Sequence, residues 1–328
     1  MRHMERLRRK FSATPQLSSV LTICLLLVVI FLSMCAYSES YRSLYNITNV
    51  LAQCAPLACV SLGQTIVIIS GGIDLSVGST ISVCTAIAAR LMGGDNPAQI
   101  AFGVLAVFAF AALVGLVNGT CVTRLKVPPM ITTLCTSTIL NGVALWILPV
   151  AGGKINPSFA RVVYKKWDVL SMPLILMFLL FLAVRYLMYS TRTGKSLYAI
   201  GQNRTIAASM GVKTDRSCVK AYVIAALCAA VTGLLLACRM RVGDPTCGTT
   251  YGMDSIAATV IGGTSLAGGT GLLSGTVVGA FLIGMLSNVM NILEVNQFYQ
   301  YVMKGALLIG AMVIYSISDR LEVRRRAS

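Results

Sequence analysis

The strongest constraint on this chain is a series of apolar runs, most of them about 20 residues long and almost free of charged side chains. A helix of that length spans the hydrocarbon core of a bilayer, which is roughly 30 Å thick. Only 12% of the 328 residues are charged, whereas soluble domains carry roughly 25%. Since the deficit extends along the whole chain, the sequence predicts an all-α polytopic membrane protein.

We predict about ten transmembrane helices in a single domain over 17–318, flanked by basic tails at 1–16 and 319–328. Two of the apolar runs, 76–92 and 254–268, are short for a full crossing, so one or both are expected to be broken or re-entrant. The predicted spans are 17–36, 48–70, 76–92, 98–122, 128–149, 171–190, 218–238, 254–268, 271–290 and 300–318.

The net charge of +16, from 27 Lys and Arg against 11 Asp and Glu, is distributed in short clusters between the apolar runs. That pattern is typical of cytoplasmic loops and argues against a nucleic-acid partner. With about ten spans, the clusters in the N-terminal tail, 124–126, 185–220 and 320–326 fall on one side, so both termini are predicted to be cytoplasmic. The loop 150–170 is an exception, because it carries four Lys and Arg residues on the predicted outer side.

Metal, disulfide and nucleotide chemistry find no support in the sequence. The eleven cysteines include no CxxC pair and lie mostly in apolar runs, and the sole histidine is His3 in the basic tail. The run Gly194-Lys195-Ser196 resembles the end of a phosphate-binding GxxxxGK[ST] loop, but Tyr189 stands where the first glycine is required. We therefore predict that the chain is not an enzyme and binds no metal or cofactor.

Two glycine-rich stretches, 71–78 and 262–269, align with Gly, Gly, Leu and Gly in register and form a weak internal repeat. Transporters are often built from repeats, with binding sites on broken helices at the repeat interface. Small residues also recur every four positions at Gly115 and Gly119 and over 267–279. Such spacing brings helix backbones close together, and we favour packing within the chain over a contact between subunits.

Asp74 lies between apolar segments, which makes it a candidate proton or cation site. It also lies just before a predicted helix, where its side chain would cap free backbone N–H groups. Capping is the favoured interpretation, and Asp254 invites the same one. Amide and hydroxyl side chains in the spans, Asn118 among them, suit a neutral hydroxylated solute and equally suit hydrogen bonds between helices.

The connection 185–220 is much longer than a simple link between bundle helices. It holds seven Lys and Arg residues and one Asp, and its part 197–212 is mildly amphipathic. We favour a short helix at the membrane surface that docks a partner. The alternative is a solvated basic loop that only fixes the topology.

Four ordered blocks, within residues 45–315, carry a family resemblance. The block 63–79 contains the run Gly-Gly-Ile-Asp-Leu-Ser-Val-Gly and is followed by blocks at 118–134, 191–203 and 256–266. Together they closely resemble the signature of permease subunits of ribose-type monosaccharide ABC importers, in the binding-protein-dependent transport permease family.

The resemblance implies a division of labour in a bacterial inner (plasma) membrane. Two permeases, a homodimer or two related chains, form the pathway for a ribose-like pentose or a related sugar. A cytoplasmic ATP-binding cassette subunit uses ATP and Mg²⁺, and an extracytoplasmic sugar-binding protein delivers the sugar. Because the binding protein carries most of the specificity, the sequence does not name the sugar.

The family blocks also assign site residues. Within a cytoplasmic coupling segment at 191–217, the residues implied to contact the ATPase are Gly194, Leu197, Tyr198, Ala199, Ile200, Gly201, Asn203, Ala207, Ala208 and Gly211. Those expected in the pathway or in its structural motif are Gly71, Gly72, Asp74, Ser76, Gly78, Asn118, Gly262 and Gly263. A bulky charged side chain at Gly201 or Ala207 is then expected to abolish uptake without preventing membrane insertion.

Two rival classes of protein stay open. An ion-coupled secondary transporter of a small polar solute would use Asp74 as its ion site. The absence of other buried acids and of membrane histidines weighs against it. A non-transporting membrane scaffold has no need of broken, glycine-rich spans.

Overall fold

The computed structural model describes residues 15–37, 39, 41–167, 170–296, 298–306 and 309–310. The predicted tail 319–328, most of the tail 1–16 and most of the last predicted span 300–318 lie outside these residues. The helices are α1 (Pro15–Tyr37), α2 (Leu44–Ile69), α3 (Val77–Leu91), α4 (Pro97–Thr123), α5 (Pro129–Ile147), α6 (Pro157–Val163), α7 (Met172–Ser190), α8 (Arg192–Gln202), α9 (Arg204–Ser209), α10 (Thr214–Met240), α11 (Thr249–Ile261) and α12 (Leu273–Ile292). Residues 298–306 form a further helical stretch.

The β-structure in the described part of the chain is minor. Strands β1 (Lys166–Trp167) and β2 (Leu170–Ser171) pair antiparallel, with Lys166 opposite Ser171. A single antiparallel bridge joins Gly152 to Gly243. The prediction of an all-α architecture is therefore confirmed apart from these short pairings.

Within the described part of the chain, seven helices are long and apolar enough to cross a membrane, namely α1, α2, α4, α5, α7, α10 and α12. This confirms a multi-pass membrane protein. The total of about ten spans and the cytoplasmic placement of the termini stay predictions.

Helices α2 and α10 form the core of the bundle. Every residue of α2 from Cys54 to Ile69 is buried. Gly63 of α2 faces Ala225 and Cys228 of α10, and a side chain at Gly63 would overlap the α10 backbone. Small residues let membrane helices approach this closely, so van der Waals packing stabilises the pair.

The other small-residue positions also pack within the chain. Gly115 and Gly119 of α4 face the backbone of α10 around 219–223, and Gly275 and Gly279 of α12 face the end of α11. A methyl group added at any of these glycines would overlap the neighbouring backbone. The interpretation of the glycine spacing as intrachain packing is confirmed at these four positions.

Helices α3 and α11 are interrupted spans, as their short apolar runs predict. Their 15 and 13 residues extend about 22 and 20 Å at 1.5 Å per residue, well short of roughly 30 Å. Helix α11 lies about five residues earlier than the predicted run 254–268, because the glycines that follow Ile261 end it.

Both short helices begin near the middle of the bundle. Gly233 of α10 packs against Ile81 and Cys84 of α3. Val77, the first residue of α3, comes about one helical turn before Ile81 and is therefore level with the middle of α10.

The chain reaches the start of α11 by running back along α3. The Thr85 hydroxyl donates to the carbonyl oxygen of Asp244 (2.9 Å), and the N–H of Gly248 donates to Ser82 Oγ (3.0 Å). Gly243, Pro245 and Gly248 of this non-helical stretch are buried against protein, which is the condition for irregular backbone at membrane depth.

Candidate functional site

The first turns of α3 and α11 meet at Gly78 and Gly248, which we call the half-helix junction. A Cβ at either glycine would overlap the carbonyl oxygen of the other. The absence of side chains therefore permits the contact. The N-terminal end of a helix carries a partial positive charge. Two such ends therefore place partial positive charge together near the middle of the bundle.

Asp74 lies in the loop that leads from α2 into this junction. Its Oδ1 accepts hydrogen bonds from the backbone N–H (2.8 Å) and the hydroxyl (2.6 Å) of Ser76. The helix N-cap is Ser76, so the prediction that Asp74 itself caps the helix is wrong. Asp74 instead forms a turn two residues earlier, where its buried carboxylate fixes the approach to α3.

A buried chain of hydrogen bonds continues from this turn into two neighbouring helices. Asn118 of α4 donates through Nδ2 to Ser76 Oγ (2.8 Å) and accepts from the hydroxyl of Thr136 of α5 (2.6 Å). Asn118 is fully buried. Its amide therefore serves interhelical hydrogen bonding, one of the two uses that the sequence left open.

Replacing Asn118 by alanine is expected to lower the free energy of unfolding by about 1–3 kcal/mol, because Ser76 and Thr136 lose a buried partner. Asn141→Ala on exposed α5 surface is the matched control, with a change within about 0.5 kcal/mol. Thermal unfolding of the purified chain in detergent measures both. Equal melting temperatures for the two variants would contradict the structural role of Asn118.

The weak sequence repeat corresponds to two helix ends of the same geometry. Gly71 after α2 (φ +84°) and Gly263 after α11 (φ +88°) have left-handed backbones. At each end the N–H of this glycine donates to the carbonyl three residues back, and the next N–H donates five residues back. This is the Schellman pattern, which favours glycine. The equivalent residues are Gly71 and Gly263, so the repeat is shifted by one from its sequence alignment.

The coupling segment folds as two short helices, α8 and α9. Thr191 accepts from the N–H of Gly194, and Asn203 accepts from the N–H of Ile206, so each helix has a side-chain N-cap. The Gly-Lys-Ser run lies inside α8 rather than in a loop.

Helix α8 packs onto the end of α2 and onto the loop 268–271, which follows α11. Leu197 is buried against Ile69 and other apolar residues of α2 and α7. Gly201 abuts the carbonyl oxygen of Ile69, which also accepts from the N–H of Gly269 (2.9 Å). The Tyr198 hydroxyl donates to the carbonyl oxygen of Gly271 (3.1 Å). Burial raises the pKa of Tyr198 well above its ordinary value, so this donor stays protonated.

The predicted coupling residues separate into an inner and an outer group. The inner group is buried or partly buried within the chain and comprises Gly194, Leu197, Tyr198, Ala199, Ile200, Gly201 and Ala207. Asn203, Ala208 and Gly211 are exposed. Beside them lie Ile206 and Met210, which are 58% and 80% exposed. These two apolar side chains were not among the predicted contacts, although they belong to the amphipathic stretch.

A charged substitution at Gly201 or Ala207 therefore does not test the contact with the ATPase. Gly201 and Ala207 face the chain itself, so a bulky charge there would disturb its own packing. Ile206 and Met210 are the apolar positions that a partner can reach.

Asp254 also differs from its predicted role. It lies within α11 rather than before it, and its Oδ2 accepts from Lys304 Nζ at 2.7 Å. Its side chain is 14% exposed. The chain therefore contains a second acid that is largely buried, contrary to the expectation that Asp74 stands alone.

The end of the bundle opposite α8 carries the outer basic cluster, a set of cations around a cavity of about 380 Å³. Among the described residues none of them forms an ion pair with Asp or Glu. The basic loop 150–170 was the sequence signal for this cluster. Its members are Arg161, Lys165, Lys166, Arg239 and Arg241.

Interrupted spans that meet at a glycine-lined junction, together with seven apolar helices and a surface segment packed beside them, are typical of a multi-pass membrane permease. A family model described as a branched-chain amino acid transport system / permease component matches residues 46–312. The chain belongs to this permease family.

Curated relatives match almost the full length of the chain. The ribose import permease protein of Bacillus subtilis (strain 168) is 36% identical over 294 residues, covering 88% of this chain and 90% of that protein. That of Escherichia coli (strain K12) is 33% identical over 314 residues, covering 94% and 96%. The D-allose transport system permease protein of the same strain is 31% identical over 288 residues, 86% of each chain. No solved structure gives a significant match.

Proposed function

We propose that this chain is a permease subunit of an ATP-binding-cassette importer for a neutral monosaccharide, in a bacterial inner membrane. The coupling segment carries the proposal, because its inner face packs on the end of α2 and on the loop after α11, while its outer face exposes the apolar side chains of Ile206 and Met210. The relatives named for ribose and D-allose support a pentose or hexose as substrate.

The proposed motion passes from a partner to the half-helix junction. An ATP-binding subunit docked on Ile206 and Met210 would displace α8 and, with it, the end of α2 and the loop 268–271 that follows α11. Since the loop after α2 leads directly into α3, this displacement would tilt the short helices against each other. Such a shift between two packed arrangements is how alternating access is achieved. ATP and Mg²⁺ act in the partner, not in this chain.

The predicted pathway residues would then act mainly as structure. Asp74, Ser76 and Asn118 hold the start of α3 through buried hydrogen bonds. Gly78 permits the junction, and Gly71 and Gly263 end α2 and α11 with left-handed backbones. A second permease, identical or related, would complete the pathway.

The outer basic cluster is the proposed docking surface for an extracytoplasmic sugar-binding protein. Helix α10 separates Cys218, packed beside the coupling segment, from Arg239 in the cluster. At 1.5 Å per residue the two ends are about 30 Å apart, one bilayer core. Unpaired cations on an outer surface favour a partner with an acidic patch.

Reversing two of these charges in Arg161→Glu/Arg239→Glu is expected to weaken binding of the binding protein about ten-fold and to remove most of its salt dependence. Arg216→Glu, an exposed reversal near the coupling segment, is the control and should leave that affinity unchanged. Titration of the assembled transporter with binding protein at low and high salt measures both. Unchanged affinity in the double variant would contradict docking at this cluster.

The ion-coupled alternative receives little support. The Oδ1 of Asp74 already accepts two hydrogen bonds from Ser76, which gives this side chain a structural role in the turn before α3. The family relationship also favours an ABC permease.

ATP hydrolysis tests the proposed division of labour. The purified chain is expected to hydrolyse no ATP, whereas its complex with an ATP-binding cassette subunit should hydrolyse ATP faster when sugar-loaded binding protein is added. A complex with no response to loaded binding protein would contradict the proposal.

A further inference from the structure

An ion pair lies inside the bundle, and its two residues belong neither to the coupling segment nor to the half-helix junction. Asp254 and Lys304 are 2.7 Å apart, and their side chains are 14% and 21% exposed. Near the start of α11, Gly252 faces the carbonyl oxygen of Leu75. Further along the same helix, the Thr259 hydroxyl donates to the carbonyl oxygen of Ser61 in the middle of α2. Asp254 lies between these two contacts. The pair therefore lies at membrane depth.

A cavity of about 560 Å³ opens beside this pair. That volume is in the usual range for small-molecule sites, roughly 300–1,000 Å³. The polar residues Thr249 and Thr250 line it together with the two charged groups, and the rest of its lining is mainly apolar, with Met253 and Ala257 among the apolar residues. Such a mixture of convergent polar groups and apolar surface is typical of a site for a small polar ligand.

Hydrogen-bonding capacity remains on both members of the pair. A carboxylate accepts at two oxygens and an ammonium group donates three hydrogen bonds. Among the described residues, the one hydrogen bond between them uses only Asp254 Oδ2 and one Lys304 donor. The remaining acceptor and donors suit a ligand that offers both O–H groups and oxygen lone pairs, which is the chemistry of a sugar hydroxyl.

Lipid is a poor occupant for this cavity. Charged groups at membrane depth are costly against hydrocarbon and almost always face the protein interior or a water-filled cavity. We propose that the cavity is a sugar-contact site on the translocation pathway, where Asp254 and Lys304 hydrogen-bond the hydroxyl groups of a neutral monosaccharide. This inference rests on the proposed function and adds the residues that touch the solute.

Paired substitutions separate sugar contact from a purely structural ion pair. Asp254→Asn/Lys304→Gln keeps the shapes but leaves no unpaired charge, and Asp254→Lys/Lys304→Asp restores an ion pair in reverse. Both double variants are expected to assemble with the ATPase normally and to take up radiolabelled ribose or D-allose about ten-fold or more slowly, since a charged hydrogen bond contributes about that factor. Wild-type uptake in either double variant would overturn the inference.

Water access gives a second readout that does not depend on transport. In a background with the exposed Cys135 replaced by Ser, Met253→Cys at the cavity is expected to react with a charged, water-soluble methanethiosulfonate reagent in the assembled transporter. Leu105→Cys, on exposed apolar surface of α4, is the control and should not react. Equal labelling of the two variants would overturn the inference. Failure of the wild-type assembly to take up any sugar would instead contradict the proposed function.

Discussion

Replacing Gly201 by alanine is expected to destabilise the chain by about 1–3 kcal/mol and to remove most uptake. A Cβ at this position would overlap the carbonyl oxygen of Ile69 and the backbone of Gly269. Backbone atoms cannot rotate away as a flexible side chain can, so α8 would have to lift from the end of α2 and from the loop at Gly269. Thermal unfolding of the purified chain and sugar uptake by the assembled transporter measure the two effects.

Gly142→Ala provides the control for Gly201→Ala. Nothing lies within 4 Å of a Cβ built at Gly142 on α5, so alanine there should be neutral or slightly stabilising, as it is in helices generally. If Gly201→Ala unfolds at the same temperature as Gly142→Ala, α8 does not pack closely on Ile69 and Gly269.

Ile206→Glu is expected to abolish ATP-driven uptake while the chain itself stays folded. The side chain is exposed on α9, so its replacement costs the free chain little. In a complex it would bury an unpaired charge at the contact with the ATPase, a loss of about 2 kcal/mol or more, close to 30-fold in affinity. Pull-down of the ATP-binding subunit and uptake in proteoliposomes provide the measurements.

The matched control, Ile206→Leu, keeps an apolar side chain of the same size and should retain uptake. The Ile206→Glu chain should also unfold at the wild-type temperature, in contrast to Gly201→Ala. Normal ATPase binding by Ile206→Glu would show that the partner contacts another surface.

The short helices and the close helix packing could be predicted from the sequence, whereas the roles of several side chains could not. The runs that became α3 and α11 are short because glycine ends or precedes them, and that signal is local. The glycines of α4 and α12 likewise follow a four-residue spacing that anticipates close packing. These features depend on residue type and interval alone.

The failures concern contacts between residues distant in sequence. Asp254 resembles a cap when only its neighbours are considered, because its partner Lys304 is fifty positions away. In the coupling segment, the apolar pattern predicts an amphipathic helix but not which side faces the chain. In the fold, Gly201 of α8 lies against Ile69, and Ala207 of α9 is buried in a cluster with Ile200 and Cys218. The opposite side of α9 leaves Ile206 exposed, and Met210 after it is exposed as well.

The outer basic cluster could be predicted from the sequence only in part. The loop 150–170 violated the charge rule in the sequence, and the exception marked a real concentration of cations. Arg239 and Arg241, at the far end of α10, join it only through the fold.

Uptake of radiolabelled ribose and D-allose into proteoliposomes tests the central claim most directly. Vesicles containing the chain, an ATP-binding cassette subunit and a sugar-binding protein should accumulate sugar only with ATP and Mg²⁺ on the cytoplasmic side. Accumulation should be insensitive to collapse of proton and sodium gradients. Uptake by the chain alone, driven by an ion gradient and lost in Asp74→Asn, would contradict an ABC permease.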